Sequence, residues 1–228
     1  MEQGTVVWPA NIVWLASYPR SGNTYLRTIL WTCFGLPTGS VYPDDFLGNL
    51  ALAQRVGHFE GAAHGQFSAD FLRLPLVKTH GWPADDRKAI YIVRNGRDCC
   101  RSLREFWRAS GHDIDLDAII AGQHFFGSWS GHFLAWDPLG RPNTLLLRFE
   151  QLTKDFDWIL ERLARFLDLR PLHAVPPKLI AADGVGPHWL SPGSTRGEVM
   201  TSAQEAMFDR LHGHVMARLG YITAPFAA

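Results

Sequence analysis

Residues 11–16 (NIVWLA) form an unbroken apolar run that ends at the turn-prone Ser17-Tyr18-Pro19. From Thr24 the pattern changes: Leu26, Ile29, Leu30 and Cys33 fall near helical spacing until Gly35 and Pro37 stop them. A continuous apolar run reads as a strand buried on both faces, and here it feeds a helix through a polar turn. That opening constrains the fold more than any other feature. A strand with no wet face needs helices above and below it.

The rest of the chain repeats the alternation. Residues 76–79 (LVKT), 89–93 (AIYIV) and 144–147 (TLLL) read as further strands. Residues 97–108, 115–135, 152–167 and 202–219 carry helical patterning. Residues 36–74 read as loops and short helices, and 171–197 as a long loop rich in Pro and Gly. The expected fold class is α/β: a three-layer sandwich with a mostly parallel central sheet flanked by helices. Residues 1–228 are expected to form a single domain. In such sheets ligands sit at the carboxyl ends of the strands.

Charge and cysteine usage exclude other classes. Lys+Arg and Asp+Glu number 22 each, so the chain has no basic excess for a nucleic acid or a polybasic membrane contact. Cys33, Cys99 and Cys100 have no C-x-x-C spacing, which argues against a zinc site or a secreted disulfide framework. The first residues lack a secretory pattern, and no apolar window is long enough to span a bilayer. A soluble, cytoplasmic protein is the expectation.

Three constellations follow strands. The turn Ser17-Tyr18-Pro19-Arg20-Ser21-Gly22-Asn23-Thr24-Tyr25 opens a helix, whose N-terminal N–H groups attract anions. Gly22 permits close approach, Ser21, Asn23 and Thr24 add donors, and Arg20 adds a charged fork. It is not a Walker A motif, because no lysine follows the glycine. Lys78-Thr79-His80 ends the second run and places a cation and a candidate base on one face. After the third run, Arg94 and Ser102 could together grip a phosphate; equally, Arg94 could pair with Asp98. Arg196-Gly197 in the late loop is a fourth candidate. Trp82, Phe106 and Trp107 are candidate aromatics for the lining of a binding site.

In this order the motifs resemble those of the sulfotransferases that use 3′-phosphoadenosine 5′-phosphosulfate (PAPS), particularly the cytosolic type and its bacterial relatives. The family's T-Y-P-K-S-G-T-T-W resembles residues 17–25, K-T-H matches Lys78-Thr79-His80, and R-N-x-x-D-x-x-x-S matches Arg94 to Ser102. Gly127-Ser128-Trp129, Phe149-Glu150-Gln151-Leu152 and Thr195-Arg196-Gly197 are similar to three later segments.

The resemblance implies a P-loop-like α/β domain that transfers a sulfuryl group to a hydroxyl, or an amine, of a small-molecule acceptor with an aromatic or apolar body. It implies PAPS as donor, 3′-phosphoadenosine 5′-phosphate (PAP) as product and no metal. Arg20, Ser21, Gly22, Asn23 and Thr24 would hold the 5′-phosphate and sulfonate end. Arg94, Ser102, Arg196 and Gly197 would hold the 3′-phosphate, and Tyr25 would stack on adenine in place of a tryptophan. His80 would be the general base, with Lys78 and Arg20 stabilising the group in flight. Arg20 departs from the family's lysine, and Phe149 from a tyrosine that helps recognise adenine. The competing readings are a P-loop nucleotide kinase and a nucleotide-binding protein without catalysis; Lys78 and His80 argue against the latter.

Overall fold

A computed structural model of the chain describes residues 6–46, 48–177 and 199–223. The first apolar run forms β1 (Val13–Ser17), followed by α1 (Asn23–Phe34). Then come β2 (Thr38–Ser40), α2 (Leu50–Arg55), a 3₁₀ turn (Glu60–His64) and α3 (Ala69–Arg73). The strands β3 (Leu76–Thr79) and β4 (Ala89–Val93) precede α4 (Gly96–Ala109), α5 (Leu116–Ala121) and α6 (Trp129–Trp136). The described chain ends with β5 (Thr144–Arg148), α7 (Phe149–Lys154), α8 (Phe156–Leu167) and α9 (Ser202–Arg218).

The five strands make one parallel sheet in the order β2-β3-β1-β4-β5. Alternation along each strand splits the core in two. Val13, Leu15, Leu76, Ile90, Ile92 and Leu147 pack on Leu26, Ile29 and Leu30 of α1 and Ile159 and Leu163 of α8. Trp14, Ala16, Val77, Tyr91 and Val93 face the other way, onto Leu103 of α4, Ile119 of α5, Phe133 of α6 and Phe208 of α9. This is the expected three-layer α/β fold. The chain leaves β1 first toward β2 and β3, then toward β4 and β5. The crevice at the carboxyl end of β1 is therefore where a ligand belongs. Among the described residues, no helix is long and apolar enough to cross a membrane.

Three elements differ from expectation. β2 falls inside the stretch read as loops; Thr-Gly-Ser has no apolar pattern, and its pairing with β3 defines it. The helical run at 115–135 is two helices. Gly122 adopts φ +73, and a Cβ there would meet the Ser128 backbone nitrogen at 2.4 Å, so the chain doubles back before Ser128 caps α6. The run at 152–167 is also divided, at Asp155 (φ −137, ψ 65) between α7 and α8.

Candidate functional site

The turn after β1 is built to receive an anion. Arg20 and Gly22 both have positive φ, +67 and +99, on either side of Ser21. A left-handed arginine is uncommon and implies a backbone held by its surroundings. Gly22 is the N-cap of α1 and makes no side-chain cap bond. In contrast, Asn95, Ser128 and Thr201 cap α4, α6 and α9 with their side chains. The N–H groups at the start of α1 thus keep the donor character that a phosphate needs.

Side chains then divide the labour. Ser21 is buried, its Oγ 3.4 Å from Cys99 Sγ. Asn23 is buried as well; its Nδ2 donates to the Leu15 carbonyl at 2.8 Å and to Ser17 Oγ at 3.3 Å. This differs from the expectation of an outward donor: the Asn23 side chain ties the turn to β1. Thr24 is half-buried at the start of α1. Tyr25, expected against adenine, is 4% exposed and packs in the α1 face of the core.

Arg20 is the hub. Its Nε donates to Ser102 Oγ at 3.1 Å, and its guanidinium lies 5.4 Å from the Phe106 ring centroid. Arg94 Nη1 donates to the Arg20 carbonyl at 3.1 Å, and the Arg94 guanidinium stacks on Phe149 at 4.7 Å. Burial and the neighbouring Arg94 charge pull the Arg20 pKa down to about 10. Two guanidinium groups crowded at an uncapped helix start are relieved by a shared anion, so these residues fit a phosphate-bearing donor. Asp98 pairs with Arg101 at 2.6 Å, so Arg94 is left to face the turn.

The ends of β3 and β1 meet at the base. His80 Nδ1 lies 2.7 Å from the Ser17 carbonyl. A carbonyl only accepts, so Nδ1 carries the proton and Nε2 keeps its lone pair. Burial first, and the Lys78 charge second, drive the His80 pKa well below its ordinary value. The imidazole is therefore neutral at neutral pH, the form a base needs. The Tyr42 ring stacks on it at 5.9 Å, Phe126 stands edge-on at 5.8 Å, and the His80 amide donates to Tyr42 Oη at 3.0 Å.

Lys78 is buried and bonded to Asp45, which also accepts from Arg27 at 2.5 Å. Behind the base, His132 is wholly buried, with Nδ1 2.8 Å from Tyr91 Oη. Trp82 is 54% exposed near His132, while Trp107 lies edge-on to Phe106 on α4. The candidate acceptor aromatics thus lie in different places, Trp82 by His132 and Phe106 by Arg20. Arg196 and Gly197 lie outside the described residues.

The turn carrying Arg94 is fastened from the far end of the chain. The Asn95 amide donates to Glu150 Oε1 at 3.0 Å, and Tyr221 Oη donates to Glu150 Oε2 at 2.9 Å. Arg97 of α4 grips Glu205 at 2.6 Å and also Asp209, both on α9. Tyr42, Asp45, Arg27, Phe126, Glu150 and Tyr221 were not singled out as site residues from sequence, and Phe149 only as a departure from the family's tyrosine. The nearest signal was the match of Phe149-Glu150 to a family segment; the others carry no local pattern.

The parallel sheet, the uncapped helix start and the converging cations define an α/β protein whose turn after β1 suits an anion. Its family is shown by comparison. The sulfotransferase domain model matches residues 11–179, and the chain belongs to that family. It is 28% identical over 178 residues to human sulfotransferase 2B1, covering 70% of this chain and 47% of that protein. It is 30% identical over 204 residues to luciferin sulfotransferase from the firefly Photinus pyralis, covering 73% and 53%. The chain thus spans about half the length of these relatives. Mouse sulfotransferase SULT7A1, solved with PAP, shares the fold with a TM-score of 0.61 at 19% identity, over 94% of this chain and 88% of that one. Retinol dehydratase, solved with retinol and PAP, has a TM-score of 0.61 at 17% identity, over 97% and 85%.

Proposed function

We propose that this chain, as one sulfotransferase domain, moves a sulfuryl group from PAPS to a hydroxyl of a small-molecule acceptor in the cytoplasm. The observation that carries this reading is that His80 holds its Nδ1 2.7 Å from the Ser17 carbonyl oxygen. Its Nδ1 proton is committed to the Ser17 carbonyl, leaving Nε2 as a neutral acceptor beside Lys78. PAPS, when bound, supplies the activated sulfuryl group. The turn from Arg20 to Thr24 holds its 5′ end, and Arg94 with Ser102 holds its 3′-phosphate. His80 Nε2 takes the proton of the acceptor hydroxyl as that oxygen bonds to sulfur, while the bond from sulfur to the bridging 5′-phosphate oxygen breaks and PAP leaves with the electron pair. Arg20 and Lys78 hold positive charge against the sulfonate oxygens, the preorganised stabilisation that dominates group transfer between anions. Phe126 and Tyr42 offer apolar walls beside His80, which suits an aromatic or apolar acceptor.

The test is a screen of hydroxyl and amine acceptors with ³⁵S-labelled PAPS, repeated with His80→Ala. Turnover should fall by ~10²–10⁴-fold while PAP binding, read by calorimetry, persists. A folded His80→Ala enzyme that keeps near wild-type rates defeats the general-base role. Tight binding of ATP with Mg²⁺ in place of PAP would favour a nucleotide kinase instead.

A further inference from the structure

Asp45 lies on the segment after β2, away from every motif that suggested chemistry, yet it touches the lysine of the base motif. Its Oδ1 meets Lys78 Nζ, and its Oδ2 accepts Arg27 Nη1 at 2.5 Å. The three side chains are 2%, 9% and 0% exposed for Asp45, Lys78 and Arg27. Arg27 is fixed in its turn. Its Nε donates to Thr38 Oγ1 at 2.7 Å, its Nη2 lies 3.3 Å from the Thr38 carbonyl and 2.8 Å from His58 Nδ1, and its guanidinium covers Phe46 at 5.0 Å. The order of support is therefore β2 and His58, then Arg27, then Asp45, then Lys78.

A buried lysine tends to give up its proton. Burial lowers the Lys78 pKa, Asp45 works against that, and Arg27 and Arg20 add to the loss. On Asp45 itself burial pushes the carboxyl up, but Lys78 and Arg27 outweigh it and hold it below the usual carboxylate range. The groups facing Lys78 are Asp45 and Tyr42 from the segment after β2, Arg27 from α1, Arg20 from the turn, and His80 beyond the end of its own strand. Asp45 is the one anion among these. It takes one of the three ammonium donors and leaves the others for a ligand.

We infer that Asp45 is a positioning residue, which keeps Lys78 in its ammonium form and fixes where that charge points at the end of β3. Its meaning for catalysis rests on the sulfuryl-transfer reading above; the claim about the charge state of Lys78 stands without it. A purely structural triad would hold β2 in place and leave the titration of Lys78 indifferent to Asp45.

The chain has four lysines, Lys78, Lys88, Lys154 and Lys178, so ¹⁵Nζ resonances can be resolved and Lys78 assigned by its loss in Lys78→Arg. In Asp45→Asn the Lys78 pKa should fall by about one unit or more, the size of effect expected when an adjacent opposite charge is removed. In the transfer assay kcat should fall about 10–100-fold, as when a group that orients a reactive residue is lost. The basic limb of the rate profile should move to lower pH. PAP affinity should stay within about 2-fold, because PAP lacks the sulfonate that Lys78 serves, and Asp45→Glu should restore part of kcat.

A Lys78 pKa in folded Asp45→Asn within about 0.3 units of wild type overturns the inference. Should Asp45→Asn not fold, the wild-type chain decides: the ¹³C carboxyl shift of Asp45 must move at the pH where Lys78 titrates, and a flat Asp45 signal there overturns it. If wild-type protein neither binds PAP nor transfers sulfuryl, the functional reading fails while the NMR titration still decides the role of Asp45.

Discussion

Gly22→Ala tests the phosphate turn most directly. The backbone at Gly22 has φ +99, a region where a Cβ costs about 1–2 kcal/mol. The new methyl would also lie 2.3 Å from Phe149 Cδ2 and 2.9 Å from Cε2. The ring cannot simply step aside, because the Arg94 guanidinium stacks on it at 4.7 Å. Overpacking of this kind costs about 1–3 kcal/mol. The combined penalty is about 2–5 kcal/mol, read by urea unfolding or as a drop in Tm of ~4–20 °C for a chain of this size. Calorimetry should show weakened PAP binding in whatever fraction remains folded. The two contributions separate in a double-mutant cycle with Phe149→Ala, where the steric part of about 1–3 kcal/mol disappears and the backbone part remains. A Gly22→Ala protein within about 0.5 kcal/mol of wild type, or an identical penalty in both backgrounds, would refute this account of the turn.

Other substitutions probe the layers behind the site. Burial lowers the His132 pKa from 6.5 to about 4, so the neutral ring is the folded form. Its contribution to stability is complete above pH 6.5 and declines as the pH falls toward about 4, by about 2 kcal/mol at pH 5. Urea midpoints across that range should flatten in His132→Gln, and equal slopes in the two proteins would contradict the assignment. Tyr221→Phe removes the hydroxyl that holds Glu150, so KM for PAPS should rise several-fold with kcat little changed; steady-state kinetics at saturating acceptor checks this. Arg94→Lys keeps a charge but loses the fork and the stacking on Phe149, and PAP affinity should drop about 10-fold or more by calorimetry.

β1 and β4 were legible because burial on both faces writes itself as unbroken apolar runs: residues 89–93 were delimited from sequence alone, and the first run was displaced by a residue or two. β2 was not legible, since Thr38-Gly39-Ser40 is defined by pairing with a strand far along the chain. The same distinction governs the site. Arg20, Lys78, His80 and Arg94 could be named because each ends or follows a strand in a short, typed motif. Asp45 could not, because its partner Lys78 is 33 positions away and nothing in Tyr42-Pro43-Asp44-Asp45 announces the pairing. Asn23 shows the limit from the other side. Its residue type suggested a ligand donor, but the carbonyl of Leu15 lies nearer and takes that donor.

The fastening of Asn95 by Glu150 and Tyr221 also sets a schedule for biosynthesis. The successive partners are 55 and 71 residues apart. At about 5–20 residues per second, Tyr221 is polymerised about 6–25 s after Asn95. During that interval β1, β3 and β4 can already be paired, with Arg20 and Arg94 side by side on a turn that still lacks its last anchor. A nascent chain halted before Tyr221 would thus carry most of the sheet while the turn beside Arg94 still lacks the hydroxyl that holds Glu150.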